Sequence, residues 1–91
     1  MTTLTNRVIS VHNKKTSMRL AKAEWGILDN ICLYEKIKRR TLLEIINENK
    51  DPKLGLTPSV RLFSLIYLHL KSNKNYSNSP KIQKAISEMQ K

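Results

Sequence analysis

Acidic residues are scarce in this chain: 7 Asp and Glu stand against 17 Lys and Arg, leaving a formal net charge of +10 over 91 residues. That deficit draws the chain towards phosphate-rich partners or an anionic membrane surface, and basicity alone does not choose between them. A single cysteine, Cys32, excludes an intramolecular disulfide and fits a reducing compartment. The two histidines, His12 and His69, are isolated and lack zinc-ligand spacing, so neither a metal nor another cofactor is expected. There is no glycine-rich phosphate loop, no nucleophile paired with a base and no recognisable carboxylate spacing, which makes an enzyme the least supported class. Long apolar runs are missing too. The longest largely apolar stretch, 62–70, is far too short to span a bilayer, and the N-terminus has no signal-peptide pattern. A soluble, cytoplasmic protein without a membrane partner is expected.

What is present is strongly patterned. Residues 15–20 (KTSMRL) alternate between one edge of Thr16, Met18 and Leu20 and another of Lys15, Ser17 and Arg19, the signature of a half-buried strand with a cationic outer face. Such a face, in a chain this basic, suggests a ribbon laid into a nucleic-acid groove. Residues 7–11 (RVISV) are β-prone, and 12–14 can turn the chain, so a hairpin from 7–11 into 15–20 is one arrangement. Pairing of 15–20 with the same strand of a second chain is the other.

From Lys22 the period becomes helical. Trp25, Leu28, Ile31 and Cys32 form one stripe of a first helix over 22–35. A basic connector, 36–40, leads to a second helix over 39–49 with Leu42, Leu43, Ile45 and Ile46 on its apolar face. After a loop around Pro52 and Gly55, Thr57 as N-cap and Pro58 at the first helical position open a third helix over 58–71. Its Val60, Phe63, Ile66, Tyr67 and Leu70 share a side that Leu62 and Leu65 widen, a surface broad enough to be buried against another subunit. Residues 72–80 are linker-like, and 81–91 recover a helical pattern in Ile82, Ala85, Ile86 and Met89, with Ser79 as cap and Pro80 opening it. With 40% apolar residues the chain can hold one small domain, near the size at which a monomeric core is marginal and dimerisation helps.

Strand, helix, short basic turn, helix is the order of the ribbon-helix-helix DNA-binding family, and the chain resembles its small bacterial or phage members with an additional C-terminal helix. The resemblance lies in RVISVHNKKTSMRLAKAEW at 7–25, in Leu42 and Ile46, and in LTPSVRLFSLIYL at 56–68. It implies a mainly α fold with a short β-ribbon, assembled as an intertwined homodimer. It divides the chain into an N-terminal arm or hairpin strand (1–14), the DNA-binding and dimerisation domain (15–71), and a linker with an amphipathic tail helix (72–91). Carried over by position, Lys15, Ser17 and Arg19 would meet base edges in the major groove of a palindromic operator. Lys38, Arg39 and Arg40 at the start of the second helix, with Lys14, would meet phosphates. Met18, Leu20, Trp25, Leu28, Leu42, Ile46 and Phe63 would form the dimer core. The implied function is a sequence-specific transcriptional repressor or autoregulator binding double-stranded DNA. An antitoxin or adaptor whose tail, 72–91, holds a protein partner is the alternative.

The chain departs from the family's pattern where Lys36 and Lys38 replace a glycine and a small hydroxylated cap, since a left-handed lysine is costly. Gly26 inside the first helix is a second irregularity. Several residues also have ordinary readings: an edge strand blunted by charge for Lys15, Ser17 and Arg19, and a solvated turn for 38–40. Solvated surface is the reading for Arg7, Lys14 and Lys22, core for Trp25, an inert buried thiol for Cys32, and either a salt bridge or a DNA contact for Arg61.

Overall fold

The computed structural model describes residues 3–72 and 81–91. Two antiparallel strands, β1 (Leu4–Val11) and β2 (Lys14–Ala21), are followed by α1 (Lys22–Glu35), α2 (Arg39–Asn49), α3 (Leu56–Ser72) and α4 (Lys81–Met89). This is the order expected of a ribbon followed by helices. The polar stretch 73–80, including the Ser79 cap and Pro80, lies outside the described residues.

Of the two strand pairings open from sequence, the hairpin forms. His12 and Asn13 carry φ of 51° and 65°, the positive pair that a two-residue type I′ turn needs, and that turn's twist matches the flanking strands. The register runs from Val11 opposite Lys14 to Leu4 opposite Ala21, so β1 begins three residues before the β-prone 7–11. Strand pairing is therefore not only a matter between chains, because each chain carries a two-stranded ribbon of its own.

One face of the ribbon is sealed by the helices. Ile9, Val11, Met18 and Leu20 are buried there, whereas Thr16, on the same face near the turn, stays exposed. Beneath them lie Trp25, Leu28, Ile31 and Cys32 of α1, Leu42, Leu43 and Ile46 of α2, and Val60, Phe63, Tyr67 and Leu70 of α3. The seven residues expected at a dimer core, Met18, Leu20, Trp25, Leu28, Leu42, Ile46 and Phe63, are thus all buried within one chain. β1 supplies the strand that closes the sheet over them, so their burial requires no second copy.

The α1–α2 connection keeps the geometry in which a glycine is usual. Lys36 adopts φ 56° and ψ 46°, its N–H reaches the Leu33 carbonyl at 3.3 Å, and the Ile37 N–H reaches that of Cys32 at 3.0 Å. Those two bonds make a Schellman cap, with partly buried Ile37 packed against the core. Lys38 follows as the residue before α2 and contributes no side-chain cap. α1 itself starts with half of a capping box: Glu24 accepts the Ala21 N–H at 2.8 Å, and alanine has no acceptor to reciprocate.

α3 begins at Leu56, two residues before the start expected from Thr57 and Pro58. Thr57 is not the cap. Pro58 falls within the first turn, where its missing N–H would have had no helical partner. The broad apolar face of α3 divides: one part enters the core, α4 packs against the helix with Ala85 and Ile86 buried, and Leu62, Leu65 and Leu68 remain open. Among the described residues no helix is long and apolar enough to cross a membrane, and no three His, Cys, Asp or Glu gather as a metal site would require.

Candidate nucleic-acid interface

Residues opposite one another in an antiparallel pair lie on the same face. The outer face of the ribbon is therefore built from Lys15, Ser17 and Arg19 of β2 and their partners Ser10, Val8 and Asn6 of β1. The three β2 residues are exposed, and among the described residues their side chains make no hydrogen bond or ion pair. Folding β1 back leaves this face uncovered, because β1 joins β2 edge to edge in the plane of the sheet. It doubles the face instead.

The hairpin also decides where the backbone points. Val11 and Lys14 close a two-residue turn and form a hydrogen-bonded pair, so the ladder alternates from there and the pairs containing Lys15, Ser17 and Arg19 are non-bonded. The N–H and C=O groups of these residues turn away from β1 towards the open edge of β2. Two contacts agree with this: the Arg19 carbonyl accepts from the Arg61 guanidinium at 3.5 Å, and the Ala21 N–H is taken by Glu24. Arg61 also pairs with Glu24 at 2.8 Å, so it acts as an internal strut rather than a free cation.

Beside that open edge, α1 and α3 enclose a groove of about 160 Å³ lined by Leu20, Ile27, Val60, Leu65 and Leu68, with Glu24 and Arg61 at its rim. Leu65 is 67% exposed, and Leu33 on α1 is 77% exposed. A strand edge unpaired at Lys15 and Ser17 and an apolar groove are thus neighbours on one side of the molecule.

On the other side, the N-terminus of α2 stands against β1. A hollow of about 190 Å³ is lined by Val8, Ile9, Ser10, Arg39, Arg40 and Leu43. The first-turn N–H groups of α2 have no side-chain cap. The three basic residues here differ in availability. Lys38 is exposed with no partner among the described residues. Arg40 bonds Glu44 at 3.3 Å and Asn13 at 3.2 Å, tying the hairpin turn to α2. Arg39 is turned inward, bonded to Asp29 at 2.6 Å with its guanidinium 5.3 Å from the Trp25 ring centroid. Lys14 sits beside the turn, on the same face as Val11 and Met18 rather than with Lys15.

Trp25 is buried, donates its indole N–H to the Thr5 carbonyl at 2.9 Å, and packs against Arg39 and against Arg7, whose guanidinium is 4.7 Å from the ring centroid. Arg7 is accordingly a packing residue over the indole, not the solvated cation expected from sequence. The hairpin turn is held from α2: Glu44 accepts the His12 N–H at 2.9 Å, and His12 lies 3.4 Å from Glu48.

These contacts set the titration of two carboxylates, Glu24 and Glu44. The Ala21 N–H, aided by Arg61 and opposed by desolvation, holds the Glu24 carboxyl below its ordinary range. The His12 N–H, aided by Arg40 against desolvation, does the same for Glu44. Burial raises the Cys32 thiol, with Asp29 reinforcing and Arg39 opposing, which leaves it a protonated, unreactive core group. Burial, together with a 2.6 Å bond to Glu35, pushes the Tyr67 hydroxyl well above the usual tyrosine range.

Sequence reasoning named the β2 half of the outer face and missed the β1 half, Asn6, Val8 and Ser10. The signal was partial: Ile9 and Val11 alternate with Ser10 at period two, but exposed Val8 beside buried Ile9, and Arg7 facing in, break the hydrophobic alternation that would have marked the outer face.

No curated protein and no solved structure matches the chain. Ribbon-helix-helix proteins are in general DNA-binding transcription regulators or antitoxins, on a non-enzymatic fold that binds DNA as a dimer. The family model of the ribbon-helix-helix domain covers residues 4–68, from the first residue of β1 into the last turns of α3, and the chain belongs to that family.

Proposed function

We propose that the protein is a sequence-specific transcriptional repressor or autoregulator that binds a palindromic operator as a homodimer, with the outer face of its ribbon in the major groove. The observation carrying this reading is that Lys15, Ser17 and Arg19 combine free, exposed side chains on one face with backbone groups aimed at an open strand edge. Antiparallel pairing of that edge with the same strand of a second copy gives a four-stranded sheet in the order β1, β2, β2, β1. The neighbouring α1–α3 groove then meets its symmetry mate.

The dimensions suit DNA. Strands lie about 4.8 Å apart, so the central β2 pair fits a major groove about 12 Å wide, which admits a two-stranded ribbon, while the outer β1 strands, with axes about 14 Å apart, ride at its walls. The central β2 strands face the groove floor, where Arg19 and Lys15 donate to guanine O6 and N7 and Ser17 donates or accepts. The outer edges carry the α2 N-termini to the phosphate walls, where uncapped backbone N–H groups, Lys38 and Arg40 attract phosphate and Arg39 holds the turn in place. Lys14 approaches the same wall from the hairpin tip. The tail has its apolar residues Ala85 and Ile86 engaged on α3, which favours the DNA reading over a partner held by residues 72–91.

The test is a fluorescence-anisotropy titration against the protein's own promoter fragment and a scrambled duplex at 50 and 200 mM salt. A preference for the promoter of about a thousandfold or more supports specific readout. Equal, strongly salt-sensitive binding to both duplexes defeats it and leaves only attraction by charge.

A further inference from the structure

We propose that Asn6 of β1 is a positioning residue for sequence readout: its side-chain amide oxygen accepts from the Arg19 guanidinium and holds it in the orientation that meets guanine. The inference rests on the DNA-binding reading above and gives the outer strand a task that does not require it to reach a base. Asn6 is directly opposite Arg19 in the ladder, and both are exposed. The pair is a non-bonded one, in which facing side chains stand closest, with Cβ atoms about 4.5–5.5 Å apart. Among the described residues neither side chain has a hydrogen-bond or ion-pair partner, so each is available to the other. The backbone beneath Arg19 is already fixed: Met18 and Leu20 are each 1% exposed, and the Arg19 carbonyl accepts from Arg61 at 3.5 Å. What remains unfixed before DNA arrives is the long side chain. Its terminal N–H groups pair with guanine O6 and N7, which leaves the Nε–H beside the stem, where a short residue on the facing strand can accept it. β1 carries no acidic residue. An Asp or Glu opposite Arg19 would neutralise the cation with a salt bridge and repel phosphate, whereas a neutral amide directs the planar fork and leaves its charge for the DNA. Ser10 stands in the same relation to Lys15, but an ammonium is a compact point charge with rotating donors and needs no such orienting.

The experiment is a double-mutant cycle on the full chain, read as affinity for the promoter fragment and for a scrambled duplex, with each guanine of the half-site also replaced in turn by 7-deazaguanine, which lacks the N7 acceptor. The variants are Asn6→Val, which removes the acceptor with a strand-favouring residue, Asn6→Gln, which keeps an amide, and Arg19→Ala; circular dichroism checks that each is folded. Arg19→Ala should identify the guanine at which the penalty for losing N7 disappears. Asn6→Val should weaken promoter binding about tenfold per half-site, the ratio equivalent to one charge-assisted hydrogen bond, leave the scrambled duplex unchanged and shrink the penalty at that same guanine alone. Asn6→Gln should retain most of the preference, and Asn6→Val combined with Arg19→Ala should bind as Arg19→Ala does. Losses that add in the double variant overturn the proposal, because Asn6 then acts independently of Arg19. Equal weakening of promoter and scrambled duplex overturns it too and makes Asn6 a phosphate contact. An Asn6→Val protein indistinguishable from wild type, or an Arg19→Ala protein with its full preference, has the same consequence. A wild type that binds both duplexes equally is a different result, which brings down the DNA-binding reading itself together with this one.

Discussion

At the scale of single residues, two positions work against the fold, and each can be relieved. Lys36 holds a left-handed conformation that costs a residue with a Cβ about 1 kcal/mol. Gly26 lies inside α1, where a Cβ would meet nothing within 4 Å. Lys36→Gly and Gly26→Ala should therefore each stabilise by about 0.5–1 kcal/mol, and thermal melts should show a rise of several degrees for a domain of this size. A fall in Tm for Gly26→Ala would mean that the open side of α1 is in close contact with a second copy. Trp25 is the opposite case. Its ring is buried, its N–H is satisfied and two guanidinium groups pack on it, so Trp25→Ala should cost about 3–5 kcal/mol and remove the folded signal in circular dichroism. The alternation of residues 15–20, the stripe of α1 and the burial of Cys32 were all readable from spacing alone. That Arg7 and Arg39 close over Trp25 was not, because stacking depends on how a strand and two helices meet in space.

At the scale of elements, the hairpin is fastened to the helices by carboxylates. Glu44 takes the His12 N–H at the turn, and Glu24 takes the Ala21 N–H at the start of α1 while pairing with Arg61 of α3. Both carboxyls ionise more readily in the folded chain than their ordinary value of 4.5, so the folded state binds fewer protons than the unfolded state in this range. Their contribution is complete above the unfolded pKa and is lost as pH falls through the lowered folded values. The melting temperature should drop on acidification below about pH 4.5, and Glu24→Gln should flatten that dependence. Tyr67 has the reverse sign. Its raised pKa means that the unfolded chain releases its proton first, so its stabilising effect is present below about pH 10 and is lost progressively above it. Tyr67→Phe should remove that part of the alkaline destabilisation in the same melting experiment. The helices themselves were largely legible: α1 and α2 occupy the spans that their apolar periods mark. The start of α3 was not, since Thr57 and Pro58 also fit the inside of a first turn, and the choice between the two is made by packing of Val60 and Ser59 against the core.

At the scale of the whole molecule, the open edge of β2 separates folding from assembly. The Ser17 N–H points away from β1, so Ser17→Pro should leave the hairpin intact while blocking pairing with a second copy, as proline is tolerated where a strand's N–H faces solvent. If the proposed dimer forms through this edge, sedimentation should show it for the wild type and a folded monomer for Ser17→Pro, and a Ser17→Pro dimer would refute strand pairing there. On DNA, Arg19→Ala should cost about 1–3 kcal/mol per contacted guanine and relax sequence preference, whereas Lys38→Ala should weaken all duplexes alike and reduce the salt dependence. The sequence by itself determined the order of elements, the cationic outer edge of β2 and the apolar stripes, because hydrophobic period and charge placement are local properties of the chain. Only the tertiary structure decided that the first strand folds back on its own chain, that the expected dimer core is buried within one protomer, and that Arg39 and Arg61 serve as internal struts. Those outcomes depend on which strand reaches an open edge first and which carboxylate lies within reach of which cation. A local pattern leaves both undetermined until the chain closes on itself.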